Sequence, residues 1–517
     1  MQNIRNDTIA AIATPPGYGG IGVIRVSGPE AFALVLPLVR RPGGNTDLPP
    51  SHLLTYGHIV VPGTQEILDE TLVTFMQAPH TYTREDIVEI QGHGGPLVLQ
   101  RILRLVLAQG ARMANPGEFT MRAFLNGRLD LAQAEAVMDL ISSQTEIGQR
   151  LAMQQLQGRI SEQVQHARHT LLGVIARIEA SIDFPEEDVP TPRTAELLSL
   201  IHTARQQVNT LLAGSDQGRL YRQGLRTAII GRPNVGKSSL LNALLRSERA
   251  IVTPVAGTTR DTVEEIANLR GIPLHLIDTA GITPTSDPVE QIGVERSRAA
   301  AASADLILLV FDGASPLTEQ DTLVSQELWA MGFGANTHAS SHSKGGGGED
   351  ERCGPSRSPS GMESGKGGGG EDERWLSRSP SGVGDRPVIV VINKVDRPQQ
   401  IEIGQLKQIW PGIFHVNTST LTAGGIHELE EAIITLVLAG KTTQSEGPLV
   451  TSARHQESLR RAAEHISASL LTLQQGVPLD FVSIDLRAAY DALGEVTGET
   501  ASEDLLERIF SEFCIGK

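Results

Sequence analysis

The feature that most constrains the fold is the stretch GRPNVGKSS at residues 231–239. It follows the apolar run RTAII and precedes the helical pattern LLNALL, and this strand–loop–helix setting is what gives a GxxxxGK[ST] loop its meaning. Glycines let backbone N–H groups surround anionic phosphates, and the start of the helix adds a positive dipole end. The strand-like runs LHLIDTAG, LILLVFDG and PVIVVINKVD follow, alternating with helical segments. The pattern predicts a parallel sheet wrapped by helices.

Three further motifs extend this phosphate loop into a site for a guanine nucleotide. In NKVD, the Asp396 carboxylate can accept both N1–H and the exocyclic amine of guanine, a donor pair that adenine lacks. We expect Lys237 to meet the β- and γ-phosphates and Ser238 to ligate Mg²⁺. The other candidates come from NKVD, PVAGTTRD and IDTAG, and they are Asn393, Lys394, Thr258, Thr259, Asp278 and Gly281.

Hydrolysis has to be organised differently from that in small signalling GTPases. Ile282 follows DTAG, where those proteins carry the glutamine that orients the attacking water. Asn234 offers a side-chain carbonyl that can help to hold a monovalent cation, with backbone carbonyls of residues 253–258 completing the shell. The alternative is that Asn234 only caps the loop. The residues alone leave both readings open.

Composition excludes several classes of protein. No apolar run approaches the ~20 residues that span a bilayer, and the first residues lack the pattern of a signal peptide. Two cysteines cannot form a disulfide framework, which indicates a reducing, cytoplasmic setting. The net charge of −16 means that contacts with nucleic acid need local basic patches.

The chain divides into four regions that differ in their pattern of apolar residues. Residues 1–122 mix short strand-like runs with glycine loops, and the glycines of QGHGGP at residues 91–96 suggest a tight turn. Residues 123–218 and 446–517 carry helical apolar stripes, among them one from Ile160 to Ile182, that we expect to pack together. The α/β region, residues 219–445, is inserted between them. Within it, residues 336–385 carry KGGGGEDER twice, which predicts a disordered surface loop.

Motifs outside the α/β region carry a specific resemblance. ATPPGYGGIGVIRVSG, EIQGHGGP, NPGEFTMRAFLNGRLDLAQAEAV and the terminal FCIGK, together with the nucleotide motifs, make the chain similar to the MnmE (TrmE) family of tRNA-modifying GTPases. The resemblance implies a multi-domain α+β and α/β protein. Its parts are a mixed α+β N-terminal domain that binds folate and dimerises, an α-helical bundle, and an inserted Ras-like, doubly wound α/β G domain.

The resemblance also implies an activity. Members of the family hydrolyse GTP and work with an FAD-dependent partner, MnmG (GidA). Together they install an aminomethyl-type group, such as carboxymethylaminomethyl, on carbon 5 of the wobble uridine of certain tRNAs. The one-carbon unit comes from 5,10-methylene- or 5-formyl-tetrahydrofolate. A homodimer, Mg²⁺ and K⁺ belong to the same expectation, and FAD enters only through the partner.

Site residues carried over from the family complete the expectation. Glu290 orients the attacking water, while Cys514 either takes part in the one-carbon chemistry or is a small buried residue that docks the tail. The folate contacts are Arg25, Glu89, Arg128 and Lys517. The magnesium ligands are Ser238 and Thr259, and the potassium ligands are Asn234, Thr253, Val255 and Thr258. The remaining GTP contacts are Val235, Gly236, Ser239, Pro254, Ala256, Gly257, Thr279, Ala280, Ser419 and Thr420.

A different class of function remains open. A regulatory or ribosome-assembly GTPase would carry the same nucleotide motifs, with flanking domains that only bind. Such proteins usually have a recognisable RNA-binding domain, and no GXXG clamp of that kind is evident in the sequence. Binding of a reduced folate would separate the two readings.

Overall fold

The structure, a computed structural model, describes residues 7–64, 66–183, 193–247, 265–278, 300–333, 386–438 and 449–517, without the side chains of Ser247 and Asp278. The chain forms two compact units. The first contains Met1–Gly224, Ala250–Pro273 and Thr442–Lys517, and the second contains Leu225–Arg249 and Leu274–Lys441. The region predicted to be a disordered loop, residues 336–385, lies outside the described residues.

The first unit begins with a seven-stranded sheet of order β3-β4-β5-β6-β2-β1-β7. Its strands are β1 Ile9–Ile12, β2 Gly19–Ser27, β3 Val39–Arg40, β4 Leu54–Val60, β5 Ile67–Met76, β6 Ile87–Gly94 and β7 Arg112–Met113. All neighbours are antiparallel except β1 and β7. Helices α1 Ala31–Val35 and α2 Pro96–Ala108 and two 3₁₀ turns, Leu36–Leu38 and Pro42–Gly44, accompany it. Apolar side chains of α2 and the sheet share one buried core.

Two of the three glycines of QGHGGP do not make the predicted turn. Gly92 and Gly94 lie inside β6, where they pair with Gly22 and Gly19 of β2. A Cβ atom at Gly94 would lie 2.5 Å from the carbonyl oxygen of Gly19. For Gly92 and Gly94 the turn prediction is therefore wrong, because they lie within paired strands that approach closely; Gly95 lies between the end of β6 and the start of α2.

A run of helices follows in the first unit. They are α3 Glu118–Leu125, α4 Leu131–Ser142, α5 Glu146–Leu156, α6 Arg159–Asp183, α7 Thr194–Ala213 and α8 Ser215–Gln223. Helix α4 starts with a capping box, in which the Asp130 side chain accepts from the Gln133 backbone and the Gln133 side chain accepts from the Asp130 backbone. In α6, the stripe predicted from Ile160 to Ile182 is buried from Ile160 to Ile178, as its spacing of threes and fours requires, but Ile182, next to the last residue of the helix, is 39% exposed.

The second sheet has six strands in the order β13-β12-β11-β8-β10-β9. They are β8 Leu225–Ile230, β9 Glu265–Leu269, β10 Ile272–Asp278, β11 Leu306–Asp312, β12 Val388–Asn393 and β13 Phe414–Asn417, and all described pairs among β8 and β10–β13 are parallel. The helices are α9 Lys237–Ser247, α10 Glu319–Ala330, α11 Ile403–Ile409 and α12 Ile426–Val437. Strand β12 is buried throughout, which explains its unbroken apolar sequence. The doubly wound fold is confirmed.

The chain then returns to the first unit as three helices, α13 Ala453–Gln474, α14 Leu479–Thr497 and α15 Glu503–Ser511. Helices α6, α7, α13 and α14 bury their apolar stripes in one core, which includes Leu171, Ile201, Ile466 and Leu493. The predicted packing of the two helical stretches is confirmed. Among the described helices, none is both long and apolar enough to cross a bilayer.

Candidate functional site

The phosphate loop runs between the end of β8 and the start of α9. A Cβ at Gly231 would lie 2.4 Å from the carbonyl oxygen of Val310, and one at Gly236 would lie 2.2 Å from Nδ2 of Asn393. Both glycines have positive φ, and Asn234 adopts a left-handed conformation with φ of 63°. The loop therefore packs against β11 and β12 so closely that no side chain fits at these two glycines.

Lys237 is folded over this loop. Its Nζ donates to the carbonyl oxygens of Gly231, at 2.8 Å, and of Arg232, at 3.0 Å. A cationic group is thereby held at the loop, at the first residue of α9. The exposed side chains of Ser238 and Ser239 follow in the same turn, where a helix N-terminus favours anions.

Asn393 joins the phosphate loop to the end of β12. Its side chain is completely buried, and Nδ2 donates to the Val235 carbonyl oxygen at 2.9 Å. Its Oδ1 accepts from the Thr418 hydroxyl at 3.4 Å. Because the carboxyl ends of parallel strands meet at one edge of the sheet, this residue links three loops that are distant in sequence.

Lys394 reaches the same edge. Its Nζ donates to the backbone oxygen of Asn234 at 2.6 Å and to Oδ2 of Asp312 at 2.7 Å. Burial works to raise the pKa of Asp312, but the hydrogen bonds from Lys394 and from the Ala314 backbone, together with the charges of Lys394 and Arg232, outweigh it and hold that pKa below its usual range. Asp312 ends β11 and was missed by the sequence reasoning, although its place after LILLVF was a signal.

Asp396 is oriented by the loop that follows β13. The Ser419 hydroxyl donates to Oδ1 of Asp396 at 2.6 Å, and Ser419 N donates to the Gly424 carbonyl oxygen at 2.8 Å. Ser419 is buried and Thr420 is half-buried. Gly425 has a φ of 76°, and a Cβ there would lie 1.8 Å from the Asn417 carbonyl oxygen. The loop thus holds the Asp396 carboxylate with one oxygen already hydrogen-bonded.

Arg232 is a second residue that the sequence reasoning missed. Its guanidinium donates to the Ser315 hydroxyl, and its Nε lies 3.2 Å from Oδ2 of Asp321. Asp321 also caps α10 by accepting from the Thr318 backbone at 3.0 Å. A basic residue directly after the first glycine of the loop was the available signal. Arg232 ties the loop to the start of α10.

Several predicted residues lie outside the described residues. They are Thr253, Pro254, Val255, Ala256, Gly257, Thr258, Thr259, Thr279, Ala280, Gly281 and Glu290, and for Asp278 only the backbone, at the end of β10, is described. Of the predicted metal ligands, the structure therefore describes Ser238 and Asn234. In the described part of the chain, no three His, Cys, Asp or Glu side chains gather as a metal site.

The predicted folate residues gather at a second site, in the first unit. Arg25 on β2 lies opposite Glu89 on β6, and the Arg25 Nε donates to Oε1 of Glu89 at 2.9 Å. The Arg25 guanidinium also lies 5.5 Å from the ring centre of Tyr82 and 5.7 Å from that of Phe119. These are distances at which a cation is attracted to an aromatic face.

Tyr82 connects this pair to Arg128. The Arg128 guanidinium lies 4.8 Å from the Tyr82 ring centre, and its Nη1 donates to the Tyr82 carbonyl oxygen at 3.2 Å. The Tyr82 hydroxyl shares a 2.9 Å hydrogen bond with Thr120. Sequence reasoning missed Tyr82, since neither its position in HTYTRED nor its spacing from Arg25 and Arg128 marks it as their shared neighbour.

The C-terminal tail is tied into this second site. Phe513 is buried among Leu131, Phe510 and their neighbours, and the carbonyl oxygen of Cys514 accepts from Gly117 N at 3.3 Å. Gly516 has a φ of 94°, and a Cβ there would lie 2.5 Å from the Ile12 carbonyl oxygen. Its own carbonyl oxygen accepts from Arg25 Nη1 at 3.4 Å. The terminus is thus docked on the strands.

Lys517 and Cys514, two residues of the tail, differ in their exposure to solvent. Burial and the nearby Arg25 charge lower the pKa of Lys517, against the opposing attraction of Glu89. Cys514, by contrast, is exposed. The alternative in which Cys514 is a small buried docking residue is therefore wrong, because Phe513 and Gly516 make the buried contacts.

Comparisons with known proteins agree on one family. The profile described as "MnmE helical domain" matches residues 131–514, and that described as "GTP-binding protein TrmE N-terminus" matches residues 8–128. A protein of Geobacillus thermodenitrificans named tRNA modification GTPase MnmE is 45% identical over 514 residues, which are 99% of each chain. A protein of the same name from Chloroflexus aurantiacus is 47% identical over 99% of this chain and 100% of its own. This chain belongs to the MnmE (TrmE) family of tRNA modification GTPases.

Proposed function

We propose that this protein hydrolyses GTP in the cytoplasm while, with an FAD-dependent partner of the MnmG (GidA) type, it modifies carbon 5 of the wobble uridine of certain tRNAs. The added group is of the aminomethyl type, such as carboxymethylaminomethyl, and its one-carbon unit comes from a tetrahydrofolate. Family membership supports the GTPase and the tRNA substrate. The partner, the folate, the homodimer and the product are inferred from the family resemblance and from the second site.

The observation that carries the nucleotide half is the convergence of Lys237, Asn393, Lys394 and Asp396 at one edge of a parallel sheet. Lys237 balances phosphate charge, and Asp396 accepts the paired donors of guanine. Asn393 and Lys394 hold the phosphate loop against the end of β12, and Asp396 follows in the loop after that strand. The same edge of the sheet thereby binds both the phosphates and the base of the nucleotide, and the contact with the base favours guanine over adenine.

Hydrolysis needs groups beyond this edge. We assign Mg²⁺ to Ser238 and Thr259, K⁺ to Asn234, Thr253, Val255 and Thr258, and orientation of the attacking water to Glu290. The two cations supply positive charge that stabilises the transferred phosphoryl group. The left-handed conformation of Asn234 suits its role, since the loop bends there while its side chain stays exposed.

The second site fits a reduced folate by its donor set. Tyr82 offers an aromatic face for a flat ring, and Glu89 accepts hydrogen bonds of the kind that a pterin donates. Arg128 and Lys517 add positive charge suited to the glutamate tail of folate. When bound, the folate supplies the one-carbon unit. We infer that the exposed Cys514 thiol, three residues from Lys517, lies close enough to take part in that chemistry.

Equilibrium dialysis of the full-length protein with 5-formyl-tetrahydrofolate tests this function. We expect wild type to bind, Tyr82→Phe to bind within about threefold of wild type, and Tyr82→Ala to bind at least about tenfold more weakly. The expected loss follows from stacking of a ring on an aromatic side chain, which is worth about 1–3 kcal/mol. No binding by a wild-type protein that still hydrolyses GTP would favour the regulatory or ribosome-assembly alternative.

A further inference from the structure

A small polar pocket of about 30 Å³ lies among the helices of the first unit and shares no lining residue with either candidate site. Its wall includes Asp139, Ser142, Ser143, Tyr221, Arg222 and Thr451. Tyr221 and Arg222 lie three and two residues before Gly224, where this segment of the first unit ends, and Thr451 lies nine residues after Thr442, where the last segment of that unit begins. The pocket is therefore lined by residues close in sequence to Gly224 and Thr442, two of the places where the chain passes between the units.

Asp139 is the unexplained residue of this pocket. Its side chain is only 9% exposed, and its Oδ1 accepts from the Arg222 Nε at 2.7 Å. Within the described chain, no group donates to its other oxygen, Oδ2, which is shielded from solvent. A buried carboxylate oxygen without a donor destabilises the fold unless something else meets it. Burial also raises the pKa of Asp139 despite Arg222, which is consistent with a shortage of positive partners.

Three of the four hydroxyl groups on the wall, those of Ser142, Ser143 and Thr451, present lone pairs rather than protons, whereas the Tyr221 hydroxyl accepts from Gln217 Nε2 at 3.3 Å. Ser142 and Ser143 donate to the carbonyl oxygens of Met138 and Leu140, each at 2.9 Å. Thr451 donates to Oε1 of Gln155 at 3.1 Å. A hydroxyl has one hydrogen, so after these bonds each oxygen can only accept. Together with the Asp139 carboxylate, these three hydroxyl oxygens give the wall a set of acceptors.

We propose that this pocket binds a small monovalent cation, either an ammonium-type group or an alkali-metal ion. Both present a compact charge of +1 to oxygen acceptors. A divalent ion suits the wall less well, because such ions recruit several carboxylates and the one here already shares its charge with Arg222. A bound cation would supply the missing partner of Asp139. It would also link α4 to the segments that hold Arg222 and Thr451.

Hydrogen exchange on the full-length protein tests the proposal locally. Choline chloride serves as the reference salt, and ammonium, methylammonium, potassium and sodium chloride are compared with it at equal ionic strength. We expect at least one of these cations to slow exchange at least fivefold in peptides covering residues 139–152 and 219–223. A response to ammonium and methylammonium alone assigns an amine, whereas a response to potassium or sodium assigns an alkali ion.

Two variants decide whether Asp139 is responsible. Asp139→Asn keeps an oxygen for Arg222 but replaces the free acceptor with an amide donor, so we expect the cation effect to disappear. Asp480→Asn removes the same charge from an exposed position of α14 and serves as the control that keeps the effect. If Asp139→Asn does not fold, Ser143→Ala is expected to reduce the effect. An equal response in the Asp139 variant and wild type, or no response to any cation, would overturn the proposal.

The proposal stands apart from the nucleotide site. Peptides that cover Asn234 are followed in the same exchange experiment, so potassium binding at the phosphate loop is recorded separately. A loop that ignores potassium while residues 139–152 respond would contradict the proposed potassium ligands and leave the pocket unaffected.

Discussion

Replacing Asn393 with alanine tests whether this residue organises the phosphate loop before any nucleotide binds. The side chain is fully buried, and its Nδ2 donates to the Val235 carbonyl oxygen at 2.9 Å. Alanine removes that donor and leaves the buried carbonyl without it. The weaker 3.4 Å bond from Thr418 is lost as well.

The expected size of the effect follows from these contacts. Leaving a buried acceptor unsatisfied costs about 1–3 kcal/mol, and the long bond from Thr418 adds little. That free energy corresponds to roughly 5–150-fold in an equilibrium constant for local opening. We therefore expect backbone amides of residues 231–239 to exchange about 5–150-fold faster in nucleotide-free Asn393→Ala than in wild type.

Hydrogen exchange with mass spectrometry on nucleotide-free protein measures this directly. Asp396→Asn is the matched control, because its hydrogen bond is to Ser419 rather than to the loop, and an amide oxygen can still accept from that hydroxyl. Its loop should exchange as in wild type. Unchanged exchange in Asn393→Ala, combined with lost GTP binding, would refute the reasoning, since Asn393 would then act only through the nucleotide.

Three further predictions follow from the two sites and the helical core. Gly516→Ala is expected to displace the tail, because its Cβ would lie 2.5 Å from the Ile12 carbonyl oxygen. Equilibrium dialysis should then show folate binding at least about tenfold weaker than in wild type, with GTP hydrolysis unchanged. Folate binding equal to that of wild type would contradict the docking of the tail. GTP hydrolysis should fall sharply when sodium replaces potassium, and equal rates would count against the assigned cation ligands. For Glu135, burial raises the pKa, but His455 and Arg454 outweigh it and hold the pKa well below its usual range. The ionised Glu135 therefore contributes its full stabilisation above the unfolded-state pKa of about 4.3, and this contribution is lost as the pH falls below that value. The free energy of unfolding measured in urea should accordingly depend less on pH between about 5 and 3 in Glu135→Gln than in wild type.

Local sequence was sufficient to predict the nucleotide fold. The phosphate loop, Asp278 and Asn393 each sit directly after an apolar run, and parallel strands bring their carboxyl ends to one edge. The buried stripe of α6 was equally predictable, because a spacing of threes and fours places residues on one helical face. In these cases the signal lies within a few residues of the element that it describes.

Only the tertiary structure decided the contacts between distant segments. Tyr82 lies between Arg25 and Arg128 because strand pairing and the turn before β6 bring them together. The docked tail leaves Cys514 exposed, since Phe513 takes the buried position and Gly516 makes the close approach to Ile12. The missing partner of Asp139 likewise depends on how α4 meets α8. Such features depend on which surfaces pack together, and a one-dimensional pattern records which residues prefer burial but not which neighbours they meet.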